Sequence, residues 1–284
     1  MKRYLYIVFV ILVGLMSSCS NGEMDKDTYP TTVTILKVTA DEGLQTRANA
    51  TVDRFAIEVY TNAEYTTAAN VFSDGTNKAN NATGVFTMVL DRTQTYYCLI
   101  WADKAGASVY DITSLKEVTL TGKAVEAWQG TKTIAAGTAA TLDVSLTRAV
   151  SKISLLETGK LKSGSTLKLN FSQPTKFNVA DGTTSTPIAR TEESISITTD
   201  VDGTATPAKL NTTDIFVLSS VATADLTDLT FQFDRETTFT VSQTPLEANF
   251  NTNIKGHYTS SNGVTFTATA DDAWGGADNE QPLQ

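Results

Sequence analysis

Leu142-Asp143-Val144-Ser145-Leu146-Thr147-Arg148-Ala149-Val150-Ser151-Lys152-Ile153-Ser154-Leu155 reads as strand, break and strand. Apolar residues hold even positions up to Leu146 and odd positions from Ile153 onward. Side chains of a strand alternate faces with period two, so one unbroken strand cannot bury both sets on the same side. A bulge or a change of sheet is therefore expected near Arg148. The same alternation recurs on either side of this break. Phe55, Ile57 and Val59 share a face, as do Leu167, Leu169 and Phe171, then Leu229, Phe231 and Phe233, then Val264, Phe266 and Ala268. Strands with one apolar and one polar face are what antiparallel sandwiches require. The expectation is an all-β chain of two tandem antiparallel β-sandwich domains, residues 28–147 and 148–270, with a tail over 271–284.

Other segments refine that picture. Tyr96 to Ala102 is apolar on both faces and reads as a central strand. Asp74-Gly75, Asp181-Gly182, Asp202-Gly203 and Asn262-Gly263 supply turn chemistry between strands. One short helix is expected near Tyr110 to Val118. The richness in Thr agrees with pleated, half-buried strands.

The N-terminus carries the most specific signal. Lys2 and Arg3 precede an apolar run from Tyr4 to Leu15, and small residues Ser17 and Ser18 lead to Cys19. That is an export signal over 1–18, too short for a comfortable membrane span. Leu15-Met16-Ser17-Ser18-Cys19 resembles a bacterial lipobox, which makes Cys19 the expected lipidation site and the first mature residue. Residues 19–27 are polar and read as a tether. Their acids Glu23, Asp25 and Asp27 resemble a surface-export signal of Bacteroidota lipoproteins, or serve only as a solvated linker. With Cys19 acylated, Cys98 is left without a disulfide partner, and its apolar setting marks it as a small core residue.

Composition and counts exclude several function classes. The formal net charge of −9 repels phosphate backbones, so no nucleic-acid partner is expected. A single histidine, His257, leaves His-based metal clusters and Ser-His-Asp triads with at most one member, and it reads as a solvated residue on an edge strand. No Gly-rich phosphate loop or calcium loop is present, and no cofactor or metal is expected. Paired carboxylates are not singled out by spacing, so no catalytic residue is assigned and the chain is expected not to be an enzyme.

Four stretches together resemble the fimbrillin superfamily of Bacteroidia, the lipoprotein subunits of type V fimbriae. They are the lipobox at Cys19, Gln45-Thr46-Arg47-Ala48, Leu146 to Ile153, and Asn251 to Ala270 with its Gly256. The resemblance spans nearly the whole chain, although Trp274 and the short acidic tail look more like an accessory or divergent member. It implies two transthyretin-like sandwiches in tandem and a lipoprotein of the cell outer membrane, exposed at the surface. It also implies cleavage by an arginine-specific protease between Arg47 and Ala48 and loss of a first strand over Thr31 to Thr39, so that a neighbouring subunit's strand can take its place. The partners implied are other fimbrial subunits, the outer membrane through the N-terminal lipid, and host or bacterial surface ligands. For that role the first strand should lie on a sheet edge with Val33 and Ile35 turned inward, and Arg47 on an accessible loop. The alternative is a surface lipoprotein that binds glycan through exposed aromatics such as Trp128 or Trp274, without polymerising. A first strand held between two neighbours would favour that alternative, or an anchor.

Overall fold

The computed structural model describes residues 31–40, 52–104, 109–138, 141–187, 189–221, 223–236, 238–259 and 266–271. The first half contributes β1 (Thr31–Ala40), β2 (Arg54–Tyr60), β3 (Lys78–Asn81), β4 (Val85–Asp91) and β5 (Tyr96–Asp103). β6 (Tyr110–Asp111), β7 (Val118–Leu120), β8 (Ala127–Ile134) and β9 (Thr141–Arg148) follow. The second half opens with β10 (Val150–Glu157), β11 (Lys160–Leu161), β12 (Thr166–Gln173), β13 (Lys176–Asn178) and β14 (Thr183–Thr184). It continues with β15 (Ala189–Ser196), β16 (Val201–Asp202), β17 (Ala208–Lys209) and β18 (Ile215–Leu218). β19 (Asp225–Phe233), β20 (Phe239–Leu246), β21 (Asn251–Gly256) and β22 (Thr267–Asp271) complete the series.

Three apolar cores organise these strands. In the first half the order is β3-β2-β5-β8-β9-β1-β4. β9 pairs with β1 through Thr141–Leu146 and with β8 only at Thr147 and Arg148, so it passes from one leaf to the other. Between the leaves, Leu36, Phe86, Met88, Leu90 and Leu146 pack with Ile57, Val59, Cys98, Ile100 and Trp128. In the second half β10 pairs with β18, β17 and β21, and a separate sheet runs β15-β12-β19-β20. Leu167, Leu169, Phe231 and Tyr258 pack there with Ile153, Leu155 and Ile254. The third core joins the halves: Leu99 and Trp101 pack with Leu115, Val118, Phe177, Ala149, Val150 and Leu218. Trp101 and Phe177 have ring centroids 5.8 Å apart.

This third core explains why β5 is apolar on both faces. Cys98, Ile100 and Ala102 serve the first core, while Leu99 and Trp101 serve the shared one. It also covers the second face of β2, where Glu58 would otherwise be a wet residue. Glu58 is buried and accepts hydrogen bonds from Tyr60 Oη at 2.5 Å, Leu115 N at 3.0 Å and Lys78 Nζ at 2.8 Å.

The phase flip around Arg148 is a change of sheet. β9 ends at Arg148, Ala149 intervenes, and β10 begins at Val150 in another sheet. Arg148 itself is buried, with its guanidinium 5.7 Å from the Trp128 ring centroid and Nε 2.7 Å from Glu126 Oε1. Two expectations need correction. The sheets are mixed, not purely antiparallel, because β1 runs parallel to β9 and β10 parallel to β21. The partners in each pair are joined by long intervening runs of strands, which is the crossover a parallel pair demands. The short helix over Tyr110 to Val118 shrinks to one 3₁₀ turn, Leu115–Glu117, between β6 and β7. There Asp111 Oδ1 takes both the N–H and the hydroxyl of Thr113, closing a local turn that competes with helix.

That last arrangement repeats. Asp74 with Thr76, Asp91 with Thr93, Asp181 with Thr183 and Asp202 with Thr204 make the same pair of bonds, carboxylate to the N–H and Oγ1 two residues on. The turns at Gly75 and Gly182 place glycine at positive φ, 77° and 69°, where a side chain would be strained. Asn262-Gly263 lies outside the described residues.

Candidate functional site: the seat of the first strand

The residues singled out as processing and lipidation sites, Cys19, Arg47 and Ala48, lie outside the described residues, as do the leader, the tether and Trp274. What the structure does place is the strand between them. β1 is not an edge strand. It pairs antiparallel with β4 from Thr31↔Asp91 to Lys37↔Val85, and parallel with β9 from Ile35↔Thr141 to Ala40↔Leu146. Over Ile35 to Lys37 it is hydrogen-bonded on both sides.

Its face is also the reverse of the expectation. Thr32, Thr34, Leu36 and Val38 point inward, while Val33 is 61% exposed. The reason lies in the neighbours. Leu36 stands opposite Phe86, Thr34 opposite Met88 and Thr32 opposite Leu90, so large side chains on β4 already fill the core and small threonines fit beneath them. Thr34 is fully buried, and its hydroxyl donates to the Thr138 carbonyl at 3.4 Å. Thr39 Oγ1 donates to Val144 O at 3.3 Å. Val38 N donates to Gly84 O at 2.8 Å and ties the strand to the turn before β4.

The outward face of this sheet sets three exposed valines among polar residues such as Thr31, Lys37, Thr87 and Asp91. Val33 and Val89 are direct cross-strand partners, 61% and 49% exposed, and Val85 beyond them is 45% exposed. The outer backbone of β4 is not wholly open, since Val89 N donates to Val71 O at 2.9 Å.

The single histidine is half-buried and ion-paired rather than freely solvated, and it does not lie on an edge strand. It follows β21, which lies between β10 and β22. His257 Nδ1 is 2.6 Å from Glu157 Oε1, and Thr259 Oγ1 is 2.5 Å from His257 Nε2. Glu157 is fully buried and also accepts from Gly159 N and, at 3.2 Å, from Tyr258 N. The cluster locks the end of β10 to the segment after β21. Sequence reasoning missed it because Glu157 and His257 are a hundred residues apart. The other sequence-level suspects are structural: Cys98 is buried, its thiol pushed up to about 12 by burial, and Trp101 and Trp128 are fully enclosed. A glycan site built on those two indoles is therefore ruled out. Among the described residues no helix is long and apolar enough to cross a membrane.

Comparison with solved structures places this architecture. A candidate adhesin of Bacteroides thetaiotaomicron aligns with TM-score 0.55 at 11% identity, covering 88% of this chain and 98% of that one. A candidate cell adhesion protein of Bacteroides eggerthii aligns with TM-score 0.50 at 14% identity, over 84% and 95%. The fimbrial anchor protein Mfa2 of Porphyromonas gingivalis reaches TM-score 0.48 at 12% identity, over 84% and 95%. At these identities the likeness establishes the fold alone: the chain shares the β architecture of the two adhesion candidates from B. thetaiotaomicron and B. eggerthii. A search of the curated proteins found no match. A family model covering residues 26–280 does match, and by it the chain belongs to DUF6562, a family of unknown function.

Proposed function

We propose that this chain is an adhesive or structural subunit of a cell-surface fimbria, exported as a lipoprotein and held to the outer membrane through acyl chains on Cys19. The observation that carries the reading is the fold itself, shared over nearly its full length with the B. thetaiotaomicron adhesin and built around a first strand clamped between β4 and β9. We take residues 28–147 and 148–270 as its two working units, with Trp101, Phe177 and their neighbours as the seam.

The clamped strand bears on how assembly works. Cleavage between Arg47 and Ala48 would cut the connection from β1 to β2 but leave two ladders intact. Each net backbone hydrogen bond contributes about 0.5–1.5 kcal/mol, and burying Leu36 and Val38 adds about 1.5–3 kcal/mol each. A strand held that firmly does not leave by itself. Strand exchange therefore requires an incoming strand that displaces β1 while recovering both ladders, and a subunit that meets no such strand stays closed, as an anchor or terminal subunit would.

The test is digestion of the folded full chain with an arginine-specific protease, followed by gel filtration. The fragment carrying β1 is expected to co-elute with the body until denaturant is added, and polymer is expected only when a competing strand peptide or activated subunit is supplied. Spontaneous loss of β1 on cleavage would refute the clamped reading. In cells, fibres of equal length from wild type and Arg47→Ala would end the processing step.

A further inference from the structure

The parallel pairing of the first strand fixes how tension reaches it. β1 and β9 run the same way along one ladder, from Ile35↔Thr141 to Ala40↔Leu146. The chain enters that ladder from the Thr31 end of β1 and leaves the first half at the Arg148 end of β9. Entry and exit therefore lie at opposite ends of the shared ladder. A pull that separates them acts along the strands, and the six facing pairs carry it together instead of one after another. On its other side β1 is held by β4 from Thr31↔Asp91 to Lys37↔Val85, so a strand drawn out by its N-terminus must shear past two neighbours at once.

Packing opposes the slide as well. A slip of one residue toward the N-terminus turns the face over and brings the exposed Lys37 into the buried place of Leu36, opposite Phe86. A slip of two brings Leu36 into the place of the fully buried Thr34, opposite Met88. That place is shaped to a smaller side chain, and a close-packed interior has no room for the larger one. Hydrogen bonds from Val38 N to Gly84 O at 2.8 Å and from Thr39 Oγ1 to Val144 O at 3.3 Å fasten the far end of the strand.

The second half repeats the device. β10 opens it and pairs parallel with β21, from Lys152↔Asn251 to Glu157↔Gly256. Where the chain leaves β21, Glu157 accepts from Tyr258 N at 3.2 Å and meets His257 Nδ1 at 2.6 Å, which ties the two strands across their far end. β22 is arranged differently. It is antiparallel to β21 and its last residue faces Asn251, beside the start of β10, so a pull on that end peels it pair by pair.

We infer that each half is a shear clamp, and that the clamp of β1 between β9 and β4 carries tension between an N-terminal anchor and the rest of the molecule. It goes beyond the fimbrial reading and rests on it only for the anchor at Cys19, against which the molecule is pulled.

The experiment is single-molecule pulling of the mature full chain carrying Cys19→Ser, with one handle at the N-terminus and the other on a cysteine introduced at an exposed position of β9. Ser145→Cys, at the partner of Thr39, loads the ladder near its far end and shears it, whereas Thr141→Cys, at the partner of Ile35, loads the near end and peels it. Cys98 is buried and takes no handle. The two proteins differ only in where force enters. At one loading rate the first rupture should need at least about twofold more force through position 145 than through position 141, because forced unfolding follows the barrier along the pulled direction. Equal forces, or a weaker rupture through position 145, would overturn the clamp. Should Ser145→Cys fail to fold, Thr147→Cys, exposed further along β9, carries the same comparison. The measurement needs neither lipid nor polymer, so its failure leaves the fimbrial reading standing, while absence of fatty-acid labelling at Cys19 would remove the anchor and leave the clamp.

Discussion

The orientation of β1 gives the sharpest stability test. Leu36 is fully buried in the first core, opposite Phe86, whereas Val33 is 61% exposed opposite Val89. Truncating Leu36 to Ala removes buried methyl groups and leaves a cavity between two leaves that cannot collapse, because β4 and β9 fix the strand on both sides. Such changes cost about 2–5 kcal/mol. Val33→Ala removes atoms that already face water and should stay within about 0.5 kcal/mol of wild type. For a unit of this size each kcal/mol moves the melting temperature by roughly 2–4 °C, so Leu36→Ala should lower it by about 4–20 °C and Val33→Ala by no more than about 2 °C. Urea unfolding followed by tryptophan fluorescence reads the relevant half, since Trp128 belongs to the same core. If Val33→Ala proves as costly as Leu36→Ala, the strand sits in the opposite phase and its assigned seat is wrong.

Further outcomes follow from other contacts. Asp103 is buried, accepts from Arg54 Nε and Nη2 at 2.6 Å each and from Trp101 Nε1 at 2.9 Å; Asp103→Ala should cost about 3–5 kcal/mol in urea unfolding, and a loss below about 1 kcal/mol would show the pair to be dispensable. The Thr204 hydroxyl, with Lys160, holds the Asp202 carboxyl down at about 2. Its ionised form favours the folded state above the unfolded carboxylate range near 4, and that contribution fades as pH falls from about 4 toward 2. Carboxyl-carbon NMR of Thr204→Ala should show the Asp202 midpoint rising toward the ordinary value, and an unmoved midpoint contradicts the assignment. Cys98 should resist iodoacetamide at pH 8 in the native protein and react on unfolding, because burial pushes its thiol up to about 12; native labelling at the rate of a free thiol would count against its burial. Cys19→Ala should abolish incorporation of labelled fatty acid, and equal labelling of mutant and wild type would sink the lipoprotein reading.

What could be seen in the residues alone was what alternation and local chemistry determine. The apolar-on-both-faces character of Tyr96 to Ala102 announced a strand with cores on either side, and the parity change between Leu146 and Ile153 announced the change of sheet. The phase of β1 was illegible for a definite reason. Val33 and Ile35 have one parity, Leu36 and Val38 the other, and only the sizes of Phe86, Met88 and Leu90 across the ladder decide between them. The Glu157–His257–Thr259 lock depends on packing between distant segments, which no spacing in the chain encodes. The Asp-x-Thr turns were legible in principle, since the five repeats need only a carboxylate and a hydroxyl two residues apart.

The two parallel pairings also set a timetable. A chain that emerges from its N-terminus presents β1 early, yet half of its backbone partners are on β9 and cannot reach it until residues 141–146 have followed. The second half repeats the delay, because β10 waits for Asn251–Gly256 of β21. Closing such distant contacts comes late and slowly compared with hairpins. Throughout that interval the backbone of β1 has only β4 to pair with. Until residues 141–146 arrive a slot stays unfilled beside the first strand, open to any strand that can match its register.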